Sequence, residues 1–113
     1  MATAYPDFNR DGFFLHNGVE LAKLFPATYE IPSTELRYGL KEGALVKLAF
    51  RFEAPGAVER DYDTERMWVI VRERFGDHWI GELDNDPRFN SAVSAGHRFH
   101  FHPDHVIDIW SGK

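Results

Sequence analysis

Four histidines, His97, His100, His102 and His105, fall within nine residues near the end of the chain. Neutral imidazoles are good ligands for zinc or nickel. If residues 97–102 form a strand, His100 and His102 share a face. His105 can then fold back after Pro103, and Asp104 or Asp86 could complete a ligand set. The spacing matches no standard zinc signature. The plainer reading, and the one preferred, is a solvated strand face opposite Phe99 and Phe101. No cofactor and no metal are therefore expected, with His100, His102 and His105 as the metal-binding alternative.

Carboxylates form the second group. Asp61, Asp63, Glu65, Asp84 and Asp86 could build an acidic pair or a calcium site, but the fixed ligand ladder of a calcium loop is absent. Asp84-Asn85-Asp86-Pro87 reads better as a turn, because Asp and Asn side chains bond nearby backbone N–H groups. Nucleophilic chemistry has little footing. There is no cysteine, and Ser33, Ser91, Ser94 and Ser111 lie outside any Gly-x-Ser-x-Gly pattern. No phosphate-binding glycine loop is present either. These residues favour a protein that is not an enzyme.

Recognition is the remaining chemistry. On a strand through 66–74, Met67, Val69 and Val71 make the core face and Trp68 lies opposite. Either the N-terminal arm covers Trp68, the preferred reading, or the ring is an exposed anchor for a partner. The acidic loop 53–65 precedes it. Asp61, Asp63, Trp68, Asp84, Asn85 and Asp86 are therefore the candidate binding residues, and an acidic surface with an aromatic anchor suits a basic protein partner.

The elements that position these residues follow from periodicity. Residues 1–16 read as an irregular arm pinned by Phe13-Phe14-Leu15. Asn17 caps a short helix over 18–25 that Pro26 stops, and Ser33 caps another that ends near Gly39 or Gly43. Residues 44–52 alternate, with Val46, Leu48, Phe50 and Phe52 facing the core and Leu45, Lys47, Ala49 and Arg51 facing out. Strands at 66–74 and 78–83 join through a tight turn at Gly76-Asp77. A connection over 84–96 offers one helical turn after Pro87. A fourth strand spans 97–102, Pro103-Asp104 turns the chain, and a short strand at 106–110 closes it. Five short strands with a long first loop and a tight central hairpin fit a mainly β fold. The expected form is a small antiparallel SH3-like barrel with short N-terminal helices, the alternative being an open sheet with helices on one face. The whole chain reads as one domain, an arm with short helices over 1–43 and a β body over 44–110.

Composition bounds the function. At 113 residues and 43% hydrophobic content, one core is what the chain can build. A net charge of −5, with Lys and Arg thinly spread, disfavours nucleic acid. No apolar run reaches the ~20 residues of a membrane span, and the N-terminus lacks a signal-peptide pattern. A cytoplasmic chain is the expectation. Protonating all six histidines would move the charge from −5 to +1, so charge should change between about pH 7 and 5.

From Leu36 to Asp108 the chain resembles a group of small bacterial domains of unknown function. The resemblance rests on Leu40-x-x-Gly43-Ala44-Leu45-Val46-Lys47-Leu48-x-Phe50, Glu65-Arg66-Met67-Trp68-Val69-x-Val71 and Gly81-x-Leu83-Asp84-Asn85-Asp86-Pro87. The ending Gly96-x-x-Phe99-x-Phe101, then Val106-Ile107-Asp108-Ile109, is similar to that group as well. Some relatives of the group resemble immunity proteins encoded beside bacterial toxins. The resemblance implies a cytoplasmic interaction module that neutralises a protein partner, and it carries no catalytic residues. The rival expectations are a small metal-dependent enzyme and a small-molecule-binding barrel, each using the histidine-rich edge.

Overall fold

A computed structural model describes residues 5–53 and 64–112. The fold is mainly β, an antiparallel sheet curled into a half-barrel with short helices on its N-terminal side. Strands β1 (Phe14–Leu15), β2 (Leu45–Arg51), β3 (Thr64–Phe75), β4 (His78–Leu83), β5 (Arg98–Phe101) and β6 (Val106–Ile109) make one sheet. Its order is β1-β2-β3-β4-β5, and β6 pairs with β2 on the edge that β1 extends. Without the two-residue β1, the order β6-β2-β3-β4-β5 is the expected SH3-like one. A 3-10 turn, Pro103–His105, links the last two strands.

Alternation decides the inner face. Val46, Leu48, Phe50, Val69, Val71 and Phe101 are fully buried, and Phe99 nearly so. The hairpin between β3 and β4 turns on Gly76-Asp77, with Gly76 in the left-handed region at φ 57°. Extra residues on β3 near Arg72 and on β6 near Ile107 curl the sheet. Gly81 is small of necessity: a Cβ there would lie 2.5 Å from Val69 Cγ1 and 2.9 Å from Phe101 Cε1.

The arm differs from its expected irregular form. It carries a helical turn, α1 (Phe8–Asp11), capped by Asp7, and then the strand β1. Phe13 enters the barrel between Phe50 and Phe52, with ring centroids 5.4 and 5.9 Å away. The arm is thus a plug for the inner core, where burial of a whole aromatic ring stabilises it most.

Helices α2 (Gly18–Leu24) and α3 (Thr34–Tyr38) begin where expected. The Asn17 and Ser33 side chains accept from the backbone N–H groups of Glu20 and Leu36. The outer face of β2 corrects the simple alternation. Ala49 and Arg51 are buried, and Ala49 packs with Leu21 of α2 and Ile107 in a second small core. A sheet with helices on its outside buries both faces locally. Residues 88–90 make bends and no helical turn.

Candidate functional site

Two places gather polar and aromatic side chains: a hollow on the outer face of β2 and β3, and a histidine corner at the far edge of the sheet.

The hollow, about 460 Å³ in volume, is the largest of the cavities described. Lys47 of β2 and Arg66 of β3 form its floor, and Asn85, Asp86, Arg88 and Phe89 form its wall. Lys47 and Trp68 are direct cross-strand partners, so the Lys47 ammonium lies 4.6 Å from the Trp68 ring. The Arg66 guanidinium sits 5.8 Å from Tyr29, and that of Arg88 sits 5.3 Å from Phe89. Cations favour aromatic faces through the ring quadrupole. Among the described residues, none of these three cations makes an ion pair with a carboxylate. A second hollow of about 210 Å³ shares Lys47 and Arg66 and continues to Tyr29 and Asp108.

The wall is held by two carboxylates, a buried Glu65 and an exposed Asp86. Glu65, expected among the loop acids, is buried. It accepts from the backbone N–H groups of Arg88 and Phe89 and from Asn90 Nδ2. Asp86 Oδ1 accepts from Ala95 N–H at 2.9 Å, and Asn85 Nδ2 donates to the Asp86 carbonyl. The turn role expected for Asn85 and Asp86 matches these bonds. Asp84 is exposed, and its N–H donates to the Trp68 carbonyl.

The structure therefore brings Trp68, Asn85 and Asp86 to one surface. Trp68 is half-buried, with Lys47 against its ring; the arm expected to cover it goes into the barrel instead. Asp61 and Asp63 lie outside the described residues, as does most of the acidic loop. Lys47, Arg66 and Arg88 were missed as site residues. Parity could have found the first two, since they share Trp68's face on paired strands; Arg88 depends on the path of the connection.

The corner corrects the expectation of a solvated histidine face. His100 is half-buried and meets His78, which is only 8% exposed. His78 Nδ1 lies 3.2 Å from Asp77 Oδ1, and its Nε2 lies 3.1 Å from His100 Nδ1. A carboxylate only accepts, so neutral His78 carries its proton on Nδ1 and accepts from His100. Burial first, then the charges of His78 and Arg10, pushes His100 below the ordinary histidine value.

His102 and His105 form a reciprocal cap on the 3-10 turn. His102 Nδ1 accepts from Asp104 N–H at 3.0 Å, and His105 Nδ1 accepts from His102 N–H at 2.9 Å. Both bonds require an unprotonated Nδ1. Burial first, then His102, pushes His105 down to about 4, with Asp104 acting the other way. Burial alone would raise Asp104. The bonds from Tyr38 and Arg37 and the nearby charges outweigh it and hold the carboxyl below its usual range. Arg37, 4% exposed, joins α3 to this turn through Asp104 at 2.9 Å.

His100, His102 and His105 thus do not converge as ligands: two of the Nδ1 atoms hold backbone N–H groups and the third faces His78. Among the described residues no group of three or more metal-ligating side chains is placed to hold an ion. No described helix is long and apolar enough to cross a membrane. Compared with family models, curated proteins and solved structures, the chain matches none.

Proposed function

We propose that this chain is a non-enzymatic protein-interaction module of the bacterial cytoplasm, immunity-like in its role, and that its outer-face hollow receives an acidic segment of the partner. The observation that carries the reading is the set Lys47, Arg66 and Arg88. Three segments of the chain deliver three cations to one hollow, each against an aromatic ring and, among the described residues, none in an ion pair with a carboxylate. The hollow's own carboxylates have bonds of their own: Glu65 accepts from the Arg88 and Phe89 backbone and the Asn90 side chain, and Asp86 accepts from Ala95 N–H. Phe89, 60% exposed, adds apolar contact at the rim. Aromatic and arginine side chains side by side are the usual anchors of protein interfaces.

This changes the sign of the partner contact expected from the acidic loop. A partner carboxylate entering the hollow gains charge-assisted bonds, and cations with no competing ion pair lose little on binding it. The barrel interior is filled by Phe13, Phe50, Phe99 and Phe101, which supports surface recognition over an enclosed small-molecule site.

The test begins with affinity capture from the native host and identification of the partner by mass spectrometry. Association is then measured for the wild type and for Lys47→Glu/Arg66→Glu, at low and high salt. The reversal should slow association and flatten its salt dependence. Unchanged kinetics with a folded double variant would remove the hollow from the interface.

A further inference from the structure

We infer that the histidine corner is an acid-sensitive clasp that holds the N-terminal arm to the barrel through Tyr5. The ring of Tyr5 stands edge-on to three imidazoles, 5.5 Å from His78, 5.3 Å from His105 and 6.4 Å from His102. These come from separate elements, β4 and the 3-10 turn with the residue that caps it. Within the arm, Arg10 Nη2 donates to the Tyr5 carbonyl at 2.7 Å and also grips Asp11, so Tyr5 is coupled to α1. Tyr5 is one point at which the arm meets the edge of the sheet, and Pro6, Arg10 and Asp11 meet it again beside His97 and His100.

The proton count of the corner makes the clasp conditional. One added proton fits on His78, which then donates to both Asp77 and His100. Further protons must go to His102 or His105, or doubly charge the His78–His100 pair, whose rings are 5.1 Å apart. A proton on His105 Nδ1 would face the His102 N–H, and one on His102 Nδ1 would face the Asp104 N–H. Each removes a capping bond and sets a cation beside another imidazole, the His102 and His105 rings being 6.4 Å apart. The other charged groups here are Asp77 on the hairpin turn, Asp104 on the 3-10 turn, Arg37 on α3 and Arg10 on α1. Asp104 Oδ1 serves Arg37 and the Tyr38 hydroxyl, and its Oδ2 lies 3.7 Å from His102 Nδ1, so a proton on His102 meets a carboxylate whereas one on His105 Nδ1 meets only the His102 N–H. A neutral His105 closes the corner over Tyr5, and its charging opens it.

Burial of His105 supports the direction, since its value of about 4 would return toward the ordinary 6.5 once Tyr5 leaves. A histidine held low in the closed state favours closure fully above about pH 6.5, and that preference is lost as the pH falls toward 4. If release relieved the whole of this shift, His105 would move the closed-to-open ratio by about thirtyfold between pH 7.5 and pH 5, which is the upper bound.

The experiment follows amide hydrogen exchange of residues 7–12, corrected for intrinsic rates, together with the Tyr5-to-histidine contacts by NMR. In the wild type, protection of the α1 amides should fall from pH 7.5 to pH 5, by up to about thirtyfold, while the β2 and β3 amides keep theirs. The variant His102→Asn/His105→Asn keeps an acceptor at each capping position but cannot take up a proton there. It should hold the arm at pH 5 as at pH 7.5. Tyr5→Ala should release α1 at both pH values with the sheet intact and raise the His105 titration midpoint. Flat protection in the wild type, acid release that persists in the double Asn variant, or a Tyr5→Ala arm as protected as the wild type would each overturn the clasp.

Discussion

The histidine corner and the outer-face hollow are both polar clusters assembled from distant segments, yet they treat charge in opposite ways. In the corner, polar groups answer one another: Asp104 with Arg37 and Tyr38, His78 with Asp77 and His100, and the two capping histidines with backbone N–H groups. In the hollow, Glu65 turns inward and Asp86 holds the Ala95 N–H, and among the described residues the cations face aromatic rings without an ion pair. A cluster whose polar groups satisfy each other inside the chain contributes to the fold. A cluster whose charges lack internal partners has its strongest interactions still to make. That difference separates a structural use of polar residues from a recognition surface.

The largest effect should come from the corner's most buried charge. Arg37→Ala removes the donor to Asp104, to the Pro32 carbonyl and to Thr34 Oγ1, and so detaches α3 from the 3-10 turn. It should cost about 2–4 kcal/mol in denaturant unfolding. A change within about 0.5 kcal/mol would mean that the corner's bonds are not what holds that edge.

The same scale tests the wall of the hollow. Glu65→Ala leaves the Arg88 and Phe89 N–H groups and the Asn90 amide without their acceptor, and should cost about 1–3 kcal/mol. Binding to a partner should weaken with it, because Arg88 and Phe89 lose their anchor. Full stability with lost binding would instead make Glu65 a recognition residue.

Acid should act on the corner before it acts on the carboxylates. With His105 held near 4 against an ordinary 6.5, stability present above pH 6.5 should fall by about 2 kcal/mol by pH 5. Asp104 and Asp77 are held below their ordinary values, so their contribution is lost only as the pH falls through the acid range below about 4. Urea midpoints measured between pH 7.5 and 3.5 should show two separate declines. One decline confined to the lower range would count against a buried neutral His105.

The smallest stability effect belongs to the hollow's cations. Lys47→Ala and Arg66→Ala should each move unfolding by no more than about 0.5 kcal/mol, since half-exposed contacts contribute little. The contrast with Arg37 is the point: equal charges, unequal internal partnership. A large loss at Lys47 would erase the distinction.

The strands, the register of their inner faces and both helix caps were legible in the sequence because each depends on local pattern. Phe50, Phe99 and Phe101 are inside because period-2 alternation leaves them no other face. Asn17 and Ser33 cap helices because their side chains reach the backbone N–H groups three residues on. What was not legible depends on pairing between distant segments. His78 joins His100 only through the β4–β5 register, which sets Ile80 opposite His100. The burial of Ala49 and Arg51 depends on where α2 docks, and the inward turn of Glu65 on the path of residues 88–90. The Trp68 surface could be located by parity, whereas the Lys47 against its ring follows from the β2–β3 register.

Gly81 carries a consequence for ancestry. With Val69 and Phe101 pressed against the place a side chain would occupy, position 81 cannot mutate alone without forcing its neighbours apart. A descendant that gains even a methyl group there must shrink residue 69 or residue 101 in compensation. Distant homologues should therefore show correlated substitution across these three sites: glycine facing an aromatic ring, or a larger residue facing a smaller one. Such a covarying triplet outlasts overall sequence drift, and offers a signature by which kin of this chain can be recognised.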